Sequence, residues 1–375
     1  MLSKEELFEG IRLARPLLIL LICIAHMPGI NGYGSDFDQF NNIGTLFSVY
    51  LKDFLARGAV PILTVISGYL AVSSFRKRSY GDFVKSKAKR LLLPFIVWNL
   101  IVLLVGFIMY KGMNHDLAGV SAIDSLKSAI FAVIGIYRLP INAPTYFLRD
   151  LFMLMLITPF IHLACQRLDR FIALFIAYSI IFWSAPGISF SVFGVIIPLT
   201  FRMDMVLFFG LGYLLGYRQQ SWPKVSAYAG ITFAILLGVF GVLFSMAVSG
   251  INPSAEVFVR WRMLLGALFV CVAPALIWGL VRIKHSFLGK LLWRLSPYSF
   301  TLFLSHILSS YVFMYVVRSK IGWLVSERSV ILEQMLYTLL YLTMVSVGAI
   351  VILKVWRKFL SVWDARHQSL ATQTA

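Results

Sequence analysis

Acidic residues are scarce in this 375-residue chain, which carries 16 Asp and Glu against 34 Lys and Arg. Charged residues of both signs make up only 13% of it, while 59% is hydrophobic. So little polarity cannot cover a water-soluble globule, and the chain reads as an integral membrane protein. Cysteine is nearly absent: Cys23, Cys165 and Cys271 fall in or beside apolar segments, without CxxC or CxxH spacing. Neither a disulfide framework nor a metal site is indicated. No G-x-S-x-G elbow occurs, so an α/β-hydrolase reading has nothing to stand on. The net charge of +18 raises nucleic acid as a partner. The basic residues, however, sit in short loops beside apolar runs, where they orient a chain in a bilayer, and nucleic-acid binding is set aside.

What is present is a series of continuous apolar runs near twenty residues long, not the alternating ten-residue segments of a strand barrel. The fold class expected is all-α, a polytopic membrane protein with about ten transmembrane helices. The expected spans are 12–30, 57–75, 91–110, 145–164, 171–186, 203–217, 227–248, 263–281, 297–317 and 330–355, with an apolar segment at 189–200 beside them. The first run is not a cleavable signal peptide, because its leader holds Glu5, Glu6 and Glu9 and no small-residue cleavage site follows. About 22 of the 34 basic residues fall on the side of the N-terminus. By the positive-inside rule both ends are then cytoplasmic. One transmembrane domain over 1–358 and a polar cytoplasmic tail over 359–375 complete the organisation.

The densest basic cluster is Arg76, Lys77, Arg78, Lys85, Lys87, Lys89 and Arg90, opposed only by Asp82. These residues are topology determinants first, but Arg forks and Lys point charges also suit a polyphosphate ligand. On the other side, residues 31–56 open with turn signals and run into an amphipathic stretch expected along the outer interface. The segment 111–144 holds Asn114, His115 and Asp116, then a second expected interfacial helix, Ile123 to Tyr137. No internal repeat is visible, which disfavours a secondary transporter.

Within the first run, Arg15 and His26 are eleven positions apart, about three helical turns, so both lie on one face roughly 16 Å apart. An imidazole deep in a membrane helix is costly, and it faces either a wet functional cavity or an interhelical hydrogen bond. His306 and His162 are the other histidines of the apolar runs, and a hydrogen-bonded core role is expected for His162. Arg149 and Asp150, adjacent at the start of the fourth span, are expected on different helix faces lining a polar acceptor site. Arg202, Asp204 and Glu333 add charge near span ends, with most of these groups pairing among themselves.

Taken in order, Arg15-x10-His26, Val60-Pro61 followed by Ser67-Gly68-Tyr69, and a basic loop ending Arg90-Leu-Leu-Leu-Pro94 resemble the membrane-bound acyltransferase-3 family. Tyr146-Phe-Leu-Arg-Asp-Leu151, Phe208-Phe-Gly-Leu-Gly-Tyr-Leu-Leu-Gly216 and Ser296-Pro-Tyr-Ser-Phe-Thr-Leu-Phe-Leu-Ser-His306 extend the resemblance over nearly the whole chain. It departs at Leu63 and Thr64, where family members often have two Phe, and in lacking a C-terminal esterase-like domain. The resemblance implies transfer of an acyl group from a coenzyme A thioester on the cytoplasmic side to a sugar hydroxyl of an exopolysaccharide, capsule, O-antigen or lipid-linked precursor. Acetyl-CoA is the expected donor and succinyl-CoA the alternative, the latter wanting an extra cation near the acyl end.

The residue types suit that chemistry. His26 is the expected base for the hydroxyl proton, or a nucleophile that carries the acyl group. Arg15 on the same face would meet donor phosphates or a carboxylate, or snorkel at the helix end. Ser67 and Tyr69 would donate to the thioester carbonyl, or Ser67-Gly68 would let a neighbouring helix approach. Arg149, Asp150 and His306 would line the substrate site. Arg76, Arg78, Lys87 and Arg90 would hold the adenosine phosphates. A flippase for a lipid-linked sugar, which also uses intramembrane His and Arg, is the rival reading.

Overall fold

The acidic leader starts a helix instead of preceding one. In the computed structural model the Ser3 hydroxyl accepts from the Glu6 backbone N–H at 3.1 Å, and the Ser3 N–H donates to the Glu6 carboxylate at 2.7 Å. This capping box opens α1 (Lys4–Ala25), with acid in its first turn complementing the helix dipole. Lys224 reaches Glu6 at 3.0 Å and Lys284 reaches Glu9 at 2.9 Å, so later loops pin the leader.

The structure describes residues 2–28, 43–113, 116, 119–136, 138–184, 202, 204–219, 222, 224–249, 255–320 and 331–373. Residues 31–42, Asn114, His115 and the segment 189–200 lie outside these, as do the side chains of Glu333 and of residues 359–375. The helices after α1 are α2 (Ile43–Val49), α3 (Ala59–Arg76), α4 (Tyr80–Lys87), α5 (Leu93–Met113), α6 (Leu126–Ile134), α7 (Tyr146–Leu156) and α8 (Thr158–Gln166). They continue with α9 (Leu168–Ser184), α10 (Asp204–Tyr217), α11 (Ala227–Ser249), α12 (Ala255–Arg282), α13 (Phe287–Leu295), α14 (Ser299–Lys320) and α15 (Ile331–Gln373). No strand occurs among the described residues.

Within the described residues each of the ten apolar runs is largely helical, and five stretches there are long and apolar enough to cross a membrane, Leu46–Arg76, Tyr80–Gly112, Tyr228–Met246, Arg260–Arg282 and Gln334–Lys358, or six if α7 and α8 count as one span bent by 55°. Glu9, Arg12 and Arg15 interrupt the apolar length of α1. The bend between α7 and α8 falls at Pro159, which has no N–H to continue the ladder.

The core centres on α1 and α3, which pack on each other and on α12. On its other side α3 lies against α10 with almost no space between the backbones. A Cβ on Gly68 would stand 2.2 Å from the Phe209 carbonyl oxygen, and one on Gly212 would stand 2.0 Å from that of Val65. Small residues are what permit such an approach. The stretch expected to lie along the interface before α3 enters the bundle instead. Val49, Phe54 and Ala56 are buried, and Phe54 packs on Phe240, Phe244 and Phe269. The second amphipathic segment forms α6, which turns Ala132 and Val133 inward and leaves Leu126 and Ile130 exposed.

Candidate active site

Between α2 and α3 the helix changes register twice, through a π turn at Tyr50–Phe54 and a 3-10 turn at Leu55–Gly58. Such changes re-aim side chains and gather at functional positions. Here they bring Lys52 and Arg57 within electrostatic reach of His26 at the end of α1. Arg57 donates to Asp53 at 2.8 Å, a carboxylate that is itself 1% exposed. Composition and spacing alone did not single out Lys52, Asp53 or Arg57, because the double register change that aims them leaves no mark in hydrophobic periodicity.

His26 follows the last residue of α1 and keeps accessible surface, as does Arg15. The His306 ring of α14 lies 5.7 Å from that of His26, tilted by 47°. His306 has no exposed surface, and its Nδ1 sits 2.7 Å from the Phe303 carbonyl oxygen. A carbonyl only accepts, so Nδ1 carries the proton and Nε2 is left as a bare lone pair. Among the described residues Nε2 has no hydrogen-bond partner. A buried acceptor without a donor is costly to maintain, and beside a second imidazole it is a ready proton acceptor.

The segment bearing His306 is held by polar groups the sequence reading did not nominate. Asn142 donates to the Leu304 carbonyl at 3.0 Å, and its backbone N–H donates to Asn99 Oδ1 at 2.9 Å. Asn99 in turn donates to Thr145 Oγ1 at 2.9 Å. One turn further along α14, Ser310 donates to the His306 carbonyl and shares a 2.7 Å hydrogen bond with Tyr341. These groups hold the α14 backbone, which in turn places the ring. Asn99 lies in an unbroken apolar run, where a polar residue at membrane depth is the signal that could have exposed it.

Arg149 and Asp150 do not line separate faces. Arg149 folds back to donate to Asp150 at 2.9 Å and to the Gly135 carbonyl at 2.7 Å, because a long guanidinium stem can reach a neighbour that the helix points away. The other Asp150 oxygen accepts from the Arg202 backbone N–H at 3.1 Å. Arg202 pairs with Asp204 and donates to the Tyr146 hydroxyl at 2.6 Å, while Arg262 stands 3.9 Å from the same Asp204 oxygen. This buried ion network joins α7, α10 and α12.

Ser67 and Tyr69 lie further along α3, away from the histidine pair. The Ser67 hydroxyl donates to the Leu63 carbonyl of its own helix at 2.7 Å, and Tyr69 meets Trp222 edge-on. Tyr69 also lines a cavity of about 450 Å³ at the end where α1 begins, with Ser3, Lys4, Ser73, Arg76 and Lys77. Arg78, Lys87 and Arg90 form a second group there: Arg78 donates to Ser86 at 2.7 Å, and Lys87 lies over Phe83 within electrostatic reach of Arg78 and Arg90. His162 pairs with the Tyr213 hydroxyl at 2.8 Å and packs on Phe75 and Tyr217, as a core histidine does.

Two comparisons bear on this arrangement of a histidine pair at one end of α1 and a basic cavity at the other. The chain is 31% identical over 215 residues to the succinoglycan biosynthesis protein ExoH of Rhizobium meliloti (strain 1021), a match covering 51% of this chain and 56% of that protein. No solved structure matches. The acyltransferase-3 family model, described as an acyltransferase domain, matches residues 8–354, from the first turns of α1 into α15. Both histidines, the ion network and the basic cavity's Arg76 and Lys77 fall inside that match, and the chain belongs to the acyltransferase-3 family.

Proposed function

We propose that this protein moves an acyl group from a coenzyme A thioester to a sugar hydroxyl of a surface polysaccharide or its lipid-linked precursor. The observation that carries the reading is the His26–His306 pair, one ring with accessible surface and the other buried with a bare nitrogen. His26 takes the proton as the sugar oxygen attacks the thioester carbonyl. The C–S bond then breaks, and the imidazolium returns its proton to the leaving sulfur. His306, locked by Phe303 in one tautomer, offers its bare Nε2 to the N–H of His26 once that ring turns toward it, which leaves the other nitrogen of His26 unprotonated for the reaction.

The donor's phosphates are assigned to the basic end, in the cavity lined by Lys4, Arg76 and Lys77, with Arg78, Lys87 and Arg90 beside it. Arg15, accessible on the same face of α1 as His26, guides the pantetheine arm between the two ends. On this reading the basic end lies in the cytoplasm of a bacterial cell and the histidine pair toward the outer face of its inner membrane, in keeping with the excess of Lys and Arg on the side of the N-terminus. For the acyl group, acetyl is the simplest reading. Succinyl is a second, favoured by Lys52 and Arg57 near His26, where cations would hold a free carboxylate, and by the likeness to a succinoglycan biosynthesis protein.

Mass analysis of surface polysaccharide from cells carrying the wild type, His26→Ala or no copy of the gene tests this directly. The acyl ester is present only with the wild type, and its mass separates acetyl from succinyl. A flippase would instead change the amount of exported glycan and leave its ester content intact. Purified protein that failed to release coenzyme A from any acyl-CoA in the presence of acceptor would sink the donor assignment.

A further inference from the structure

At the same end of the bundle as the donor cavity, on the opposite flank of α1, the chain turns sharply from α12 into α13. Gly289 seats against this turn so closely that a Cβ would stand 2.2 Å from the Ile283 carbonyl oxygen, and the Ser286 hydroxyl accepts from the Gly289 N–H at 3.2 Å. The turn presents Lys284 and His285 to a cavity of about 350 Å³ that Lys290, Trp293 and Arg294 of α13 also line. Its acidic lining residue, Glu9, is paired with Lys284 at 2.9 Å. Lys290 and Arg294 have no ion-pair partner among the described residues, and Arg12 lies over Trp293 at 4.8 Å, so the site holds a surplus of positive charge.

At 100° per residue α13 divides into three sectors. Gly289 and Leu292 face the protein and are buried. Lys290, Trp293 and Arg294 face the cavity. Phe287, Leu288 and Leu291 form the third sector and are 85%, 45% and 41% exposed. Arg294 marks the border between cavity and apolar sector. A short helix with one basic and one apolar sector lies in the headgroup layer with its apolar side in the acyl chains. A soluble phosphate ligand such as coenzyme A has no hydrocarbon to lay on Phe287 and Leu291.

We propose that this corner is a binding site for an anionic phospholipid, whose headgroup phosphate is held by Lys290, Arg294 and the Lys284–His285 turn while its chains run over Phe287, Leu288 and Leu291. Charge complementarity and the continuity of cavity with apolar sector identify the occupant. The test uses the full-length protein in nanodiscs of phosphatidylcholine doped with phosphatidylglycerol, with retained lipid counted by native mass spectrometry. The wild type enriches phosphatidylglycerol about tenfold over its share in the disc. Lys290→Gln with Arg294→Gln removes the enrichment, while Lys290→Arg with Arg294→Lys preserves it. Phe287→Gln, which leaves the cations in place, weakens it. Enrichment unchanged in the Gln pair overturns the proposal, as does a wild type without preference. Loss of coenzyme A binding in the Gln pair, with lipid retention intact, overturns it in favour of a donor site.

Discussion

His306 gives its only N–H to Phe303, on its own helix, which leaves Nε2 bare in a ring centred 5.7 Å from that of His26 at the end of α1. Two imidazoles so close cannot both be charged without strong repulsion, so the pair is built to carry at most one positive charge at a time. That is what a base needs if it is to accept a hydroxyl proton and then release it.

His26→Ala is expected to lower acyl transfer by about 10²- to 10⁴-fold, the usual range for a lost general base, with the protein still folded. His306→Asn retains a side-chain N–H for Phe303 but lacks Nε2. It should lose most of the activity and shift the pH–rate profile. Transfer of labelled acyl groups to isolated polysaccharide measures both. Wild-type rates in His306→Asn would remove His306 from the mechanism.

The packing of α3 on α10 supplies a second prediction. Gly212→Ala puts a methyl group 2.0 Å from the Val65 backbone oxygen, and no side-chain rotation can relieve that contact. Overpacking of this kind typically costs about 1–3 kcal/mol, and the rigid backbone partner places this one at the upper end. Gly238→Ala, with nothing within 4 Å of the new Cβ, should be nearly silent. Thermal unfolding in detergent should separate the two variants, and equal midpoints would show that α3 and α10 are free to part.

Helix positions were legible in the sequence because apolar length and bounding charge are local properties, and the described part of each expected span lies largely on helix. The bend that divides the span 145–164 into α7 and α8 was less so, because proline is tolerated in the first turn of a helix and only the backbone shows that the chain breaks before Pro159. At the site, His26 and Arg15 could be placed on one helix face from spacing alone. The approach of His306 could not, since it depends on how α14 docks on α1. The motifs Ser67-Gly68-Tyr69 and Gly210-Leu-Gly212 read equally as ligand or packing elements. The structure gives their glycines to helix contact, because a backbone oxygen occupies the space where a side chain would be.

The ion network predicts stability, not chemistry. Asp204 is 1% exposed and faces the guanidinium groups of both Arg202 and Arg262. Asp204→Asn keeps the shape but leaves Arg202 and Arg262 facing a neutral amide, and removing one partner of a buried pair costs about 3–5 kcal/mol. The unfolding midpoint should fall by several degrees. If the folded fraction retains its rate per molecule, the network is a scaffold; a fall in rate with an unchanged midpoint would place Asp204 at the substrate instead.

The donor cavity gives the last prediction. Arg76 lies over the Tyr217 ring at 4.5 Å and donates to the Tyr217 carbonyl at 3.5 Å, so its stem is fixed while its charge lines the cavity beside Lys77. A phosphate held there is felt equally in ground and transition states, because the reacting carbonyl lies at the far end of α1. Uniform binding of that sort appears in KM and not in kcat. Arg76→Gln and Lys77→Gln should therefore each raise KM for acyl-CoA severalfold with kcat within about twofold of wild type. The effect should shrink at high salt as screening removes the lost attraction. A shortened donor without the adenosine phosphates should show no difference between wild type and either variant. A loss of kcat with that donor would mean that Arg76 and Lys77 hold the helices and not the ligand.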